Sequence, residues 1–144
     1  MAVPTREALS VILADNSIHQ SVLTGNIAPN GRSKLAALGL DQFIDFGIGG
    51  FGSDDVDRPK LVGHAQRRAN AKYGVTFDEK STVLIGDTTR DVRAAKRGGA
   101  QVIGVATGID SLDVLQAEGA DAVFEDLRDT AAVVRAIKKL AGQV

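Results

Sequence analysis

Val83-Leu84-Ile85-Gly86-Asp87-Thr88-Thr89-Arg90-Asp91 is the stretch on which the reading turns. An apolar run delivers Asp87 to its exit, and Asp91 follows after three intervening residues, near the start of a helix. A short buried strand running straight into a helix is the repeating unit of a parallel sheet. Ligands of such sheets collect beyond the carboxyl ends of the strands. Two carboxylates at that point can hold a hard cation such as Mg²⁺, which prefers oxygen ligands and keeps several waters. The plainer alternative is that Asp87 caps the following helix by accepting from its orphan amides.

The same rhythm extends in both directions. Downstream, the pattern predicts a helix over 91–97 closed by Gly98-Gly99, a strand over 101–106 leading to Thr107-Gly108, a helix over 111–118, a strand over 122–124 and an amphipathic helix over 129–140. Upstream it predicts a helix over 59–73 stopped by Gly74, a strand over 43–48, a helix over 30–40, a strand over 18–23 and a first helix over 4–16. Strands alternating with helices give an α/β fold, a parallel sheet covered on both faces. With no linker, repeat or low-complexity tract, residues 1–144 read as one domain.

Composition narrows the function classes. With 44% hydrophobic and 24% charged residues, the chain has the balance of a globular protein rather than a disordered one. Seventeen Lys and Arg against eighteen Asp and Glu give a net charge of -1, which argues against a dedicated nucleic-acid binder or a polybasic membrane anchor. The absence of cysteine excludes disulfides, thiolate metal sites and cysteine nucleophiles. No apolar run reaches the ~20 residues of a membrane span. The first residues lack the basic-then-apolar pattern of a signal peptide, so the expectation is a cytoplasmic protein.

Two further segments could serve chemistry. In Ser21-Val22-Leu23-Thr24-Gly25-Asn26, a hydroxyl at a strand end, with Gly25 allowing close backbone approach, can hold a phosphate oxygen; a turn or helix cap explains the same residues. In Asp57-Arg58-Pro59-Lys60, a cation at the mouth of a helix can neutralise a phosphoryl group and a nearby acid, or be an ordinary surface charge. Other signals carry less. Gly47-Ile48-Gly49-Gly50-Phe51-Gly52 fits Gly-x-Gly-x-x-Gly, yet the acids of Ser53-Asp54-Asp55-Val56-Asp57 follow where a dinucleotide site needs a helix. His19 and His64 lack a third ligand for zinc, and Arg67, Arg68 and Lys72 read as a solvated basic face.

Taken in order, these motifs resemble the haloacid-dehalogenase-like (HAD) superfamily, most members of which are Mg²⁺-dependent phosphatases, and within it the phosphoglycolate-phosphatase-like branch. The resemblance runs from about Arg6 to the C terminus. Val22-Leu23-Thr24 is similar to the family's second motif, Arg58-Pro59 to its third with Lys60 as the fallback, and Gly86-Asp87 with Asp91 to its fourth. Val105-Ala106-Thr107-Gly108 looks like the family's next strand end. The resemblance implies a three-layer Rossmann-like sheet and hydrolysis of a phosphate monoester through an aspartyl-phosphate. It implies that Thr24 binds a phosphate oxygen with help from Gly25 and the Asn26 amide, that Arg58 stabilises nucleophile and phosphate, and that Asp87 and Asp91 hold or orient Mg²⁺.

One family motif is missing. The nucleophile lies in an Asp-x-Asp at the end of the family's first strand, and no such pair precedes Thr24. Asp15 ends an apolar run, but Ile18 follows three residues later, and a parallel crossover needs about a dozen residues. Asp15 and Asn16 therefore read as the end of the first helix. In the family the absent strand sits between those bearing Thr24 and Asp87, and a cap domain, also not evident here, usually sets the substrate. An open slot leaves backbone groups unpaired, so strand exchange, a homodimer or a partner chain is expected. Three functions stay open: a phosphatase acting on a small phosphorylated metabolite, a truncated or split non-catalytic HAD-like module, and a flavodoxin-like interaction domain whose strand-end acids are caps.

Overall fold

The computed structural model describes residues 18–21, 23–24, 33, 36–37, 39, 41–52, 54 and 57–141. Two short strands, β1 (Leu23–Thr24) and β2 (Gly50–Phe51), pair in parallel with Leu23 opposite Gly50. Helix α1 (Arg58–Tyr73), strand β3 (Val83–Gly86) and helix α2 (Thr89–Gly98) follow. Strand β4 (Gln101–Val105), helix α3 (Leu112–Glu118), strand β5 (Ala122–Phe124) and helix α4 (Thr130–Leu140) complete the order. β4 lies between β3 and β5, parallel to both, with Ile85 opposite Ile103 and Gly104 opposite Val123.

Side-chain alternation along these strands builds the layers. Leu84, Val102 and Val123 face one side and pack with Val62 of α1, Val92 and Ala95 of α2 and Leu115 of α3. Val83, Ile85, Ile103, Val105, Ala122 and Phe124 face the other side and meet Val133 and Ile137 of α4. The result is a three-layer α/β sandwich, as the strand–helix rhythm predicts. Ile103 and Leu115 are fully buried, each worth about 1.5–3 kcal/mol of transfer free energy. Glycine ends three helices in the left-handed conformation, with Gly74, Gly99 and Gly119 at φ of 66°, 88° and 108°.

The sheet is divided. β1 and β2 form one ladder, and β3, β4 and β5 form another. Leu23 packs against the same apolar cluster as Leu84, so the two pieces share a core without sharing hydrogen bonds. Among the described residues no strand pairs with the outer edge of β3 or the second edge of β1. A core lacking the strand expected between them has this arrangement.

Three local expectations are corrected. The strand expected over 18–23 is confined to Leu23–Thr24, because residues 20–21 are tied to residue 45: the Asp45 amide donates to Gln20 O, and Ser21 Oγ donates to Asp45 O. The strand expected over 43–48 is replaced by 3₁₀ turns at Asp41–Phe43 and Phe46–Ile48, the second capped by Asp45, which accepts from the Gly47 amide. Strand pairing is displaced to Gly50–Phe51, inside the Gly-x-Gly-x-x-Gly pattern. The basic face also divides. Arg68 bonds Asp54 and Gly49 O, and Lys72 bonds Asp45. His19 stacks on Tyr73 with ring centroids 3.7 Å apart.

The first helix with Asp15 and Asn16, and the residues Gly25 and Asn26, lie outside the described residues. Of the helix expected over 30–40, Ser33, Ala36 and Ala37 are helical and Gly39 is in a turn. Among the described residues no helix is long and apolar enough to cross a membrane.

Candidate functional site

β3 ends at Gly86, and the chain turns through Asp87 and Thr88 into α2. Thr88, with extended backbone, is the N-cap, so Asp87 does not cap the helix. Thr88 Oγ1 accepts from the Asp91 amide at 3.2 Å and donates to Asp91 Oδ2 at 3.0 Å. Asp91 Oδ2 also accepts from the amides of Asp87 (3.1 Å) and Thr88 (3.2 Å), completing a reciprocal capping box. Its other oxygen, Oδ1, accepts from Arg58 Nη2 at 2.9 Å. Asp87 and Asp91 are each only 7% exposed, in a sequence whose acids are otherwise mostly at the surface. Burying a carboxylate is costly unless donors surround it, and every donor to Asp91 comes from the strand end, the helix start or α1.

Local sequence explains how these groups meet. Pro59 suits the first turn of α1 and starts it at Arg58, one turn before Val62, which is buried against α2. That turn aims Arg58 across to Asp91. Gly86 leaves room for the Asp91 side chain: a Cβ there would lie 2.6 Å from Asp91 Cγ and Oδ2. The loop after β4 closes the other side, where a Cβ at Gly108 would lie 2.8 Å from Asp87 Oδ2. Asp110, which the sequence reading missed, accepts from the Thr89 amide at 3.0 Å and fastens that loop to the start of α2. Its one signal in the sequence was its position two residues beyond Thr107-Gly108.

The candidate residues therefore separate. Arg58, Asp87 and Asp91 come together. Thr24 is the last residue of β1, whose ladder is distinct from that of β3. Lys60 is exposed and lines a groove with Asp57 and His64, because two residues further along a helix face nearly the opposite way. Thr107 is exposed at the rim. Arg58 Nε is buried and has no hydrogen-bond acceptor among the described residues. An orphaned guanidinium N–H beside two buried carboxylates marks a place where an acceptor belongs.

A Mg²⁺ ion needs near-octahedral oxygen ligation. Asp91 has both oxygens engaged by donors, and among the described residues no three His, Cys, Asp or Glu side chains cluster to hold an ion. The described residues offer Asp87 as a ligand and do not complete a magnesium site.

A family model described as HAD-hydrolase-like matches residues 58–130, the segment from Arg58 through β5 to the start of α4. The chain belongs to the HAD-like hydrolases. Probable phosphatase IndB of Dickeya dadantii (strain 3937) is 29% identical over 121 residues, covering 84% of this chain and 50% of that protein. A haloacid dehalogenase-like family hydrolase from Streptococcus pneumoniae superposes with a TM-score of 0.68 at 16% identity, over 89% of this chain and 57% of its own. A haloacid dehalogenase-like protein from Agrobacterium tumefaciens strain C58 gives 0.67 at 20% identity, over 91% and 60%. The structural matches establish a HAD-like fold. This chain spans about half the length of the curated relative it matches.

Proposed function

We propose that this chain carries the phosphate- and metal-facing half of a HAD-type phosphatase core. The observation behind this reading is the pairing of Arg58 with Asp91 beside the buried Asp87, with Arg58 Nε left without an acceptor. In this reading Arg58 takes a phosphoryl oxygen or the nucleophile's carboxylate on its orphan N–H, while Asp91 holds the guanidinium in place. Asp87 is the ligand offered to Mg²⁺, which in such enzymes screens the charge of the transferring group. By the resemblance of this segment, Thr24, Gly25 and Asn26 would bind a phosphate oxygen. Nucleophilic attack, the step that forms an aspartyl-phosphate, requires an Asp-x-Asp strand from polypeptide beyond the described residues, seated between β1 and β3.

A second reading rests on the divided sheet: the chain acts as a non-catalytic or split module, whose open edges are filled by a partner or a second copy. One experiment separates the two. Turnover of p-nitrophenyl phosphate with Mg²⁺ is measured for the chain alone and for the chain fused to the part of the Dickeya relative that it does not match. Turnover in the fusion, abolished by Asp87→Asn, supports the first reading. A folded fusion without turnover favours the module.

A further inference from the structure

Apart from Arg90, which is exposed in the first turn of α2 and away from the groove lining, the cations on α1 and α2 fall into two sets. Arg58, Arg68, Lys72, Arg93 and Lys96 are each paired with a carboxylate, respectively Asp91, Asp54, Asp45, Glu118 and Asp121. Lys60, Arg67 and Arg97 are all exposed and enter no ion pair among the described residues. These three line one groove of about 620 Å³ between the start of α1 and the end of α2. Arg67 Nη2 lies 3.0 Å from His64 Nδ1, which keeps the guanidinium over the groove. Gly63, also on its lining, has no side chain to fill it, and a Cβ there would lie 3.2 Å from Arg67 Nη1. Among the described residues Asp57 is the one acid on the lining, against three cations.

A molecule with net charge -1 has acids enough to pair these cations, as it pairs their neighbours. Three like charges around one concavity raise its potential and draw anions into it. Lys60 and Arg67 stand seven residues apart on α1, about 10 Å along its axis, which suits an elongated anion better than a single phosphate. We propose that the α1–α2 groove binds an oligophosphate, of two or more linked phosphates, through Lys60, Arg67 and Arg97. Arg58 leaves the first turn of α1 toward Asp91 of α2 and is not among the groove's lining residues, so this site is separate from the one above and does not depend on the phosphatase reading.

The test is an NMR and calorimetric titration of the whole chain at low ionic strength with pyrophosphate, ADP and orthophosphate. Pyrophosphate is expected to shift amides of residues 60–67 and 97–98, to bind more tightly than orthophosphate, and to weaken as salt is raised. ADP is expected to match pyrophosphate within a few-fold, since the phosphate chain is what is recognised. Arg67→Glu/Arg97→Glu should weaken binding at least tenfold, and Gly63→Leu, which blocks the groove without changing charge in a helix that tolerates leucine, should do the same. Shifts confined to residues 86–91, no binding of pyrophosphate, or unchanged affinity in both variants would overturn the proposal.

Discussion

Replacing Gly86 by alanine is a sharp test of how the strand end is built. The new methyl would lie 2.6 Å from Asp91 Cγ and Oδ2, and closer still to Asp91 Cβ. Neither neighbour can retreat cheaply: Asp91 sits in the first turn of α2, and Gly86 is held in register opposite Gly104. Asp91 must therefore move, taking with it the capping box and the Arg58 contact. Losing the cap costs about 1 kcal/mol, and forcing volume into a packed site about 1–3 kcal/mol more. The sum, about 2–4 kcal/mol, corresponds to a fall in Tm of roughly 5–15 °C in a chain of this size. Thermal unfolding by circular dichroism reads this directly. Gly99→Ala, at a left-handed position with no neighbour close to the added methyl, separates backbone strain from steric conflict. A Gly86→Ala protein melting within about 2 °C of the parent would refute the reasoning.

Other consequences follow from the same contacts. Asp91→Ala and Arg58→Met should be non-additive in urea unfolding, with a coupling on the order of 1 kcal/mol or more; strict additivity would mean the 2.9 Å contact contributes nothing. Hydrogen bonding from Arg68 depresses the Asp54 carboxyl from 3.8 to about 2, so the pair stabilises the folded state above pH 4 and loses that contribution as pH falls through 2. Linkage caps the effect at about 2 kcal/mol, and screening at the 36% exposed Arg68 reduces it to about 1 kcal/mol. Arg68→Met should flatten stability across that pH window, and an unchanged profile would assign the acid sensitivity elsewhere. Leu115→Ala, at a fully buried contact between α3 and the sheet, should cost about 2–5 kcal/mol by chemical denaturation; a loss below 1 kcal/mol would mean the α3 face is not packed as described.

How much could be read from sequence depended on what fixed each element. From Pro59 onward the elements lie within a residue or two of expectation, because apolar periodicity and glycine stops coincide there: Gly74, Gly99 and Gly119 each end a helix. Residues 43–48 mislead because Ile44, Phe46 and Ile48 alternate like a strand, while Asp45 caps a 3₁₀ turn through the Gly47 amide. Such a cap is a local hydrogen bond that hydrophobic pattern does not register. At the site, the convergence of Arg58 with Asp91 across 33 residues was available only through resemblance. The cap on α2 was assigned to Asp87 as an alternative when Thr88 performs it, since both residues are competent N-caps one position apart. Asp110 has no flanking pattern, and only the fold brings it to the Thr89 amide.

The central claim is that the turn from β3 into α2, with Arg58 against it, receives a phosphoryl group beside a divalent cation. Its most direct measurement is the ¹H–¹⁵N spectrum of the chain, fused to the part of the Dickeya relative that it does not match, titrated with orthophosphate in the presence of millimolar Mg²⁺. The account predicts shifts of the Asp87 and Thr88 amides and of the Arg58 side chain that need both components and vanish in Asp87→Asn. Shifts that survive Asp87→Asn, or a spectrum of residues 86–91 that does not respond at all, would contradict it.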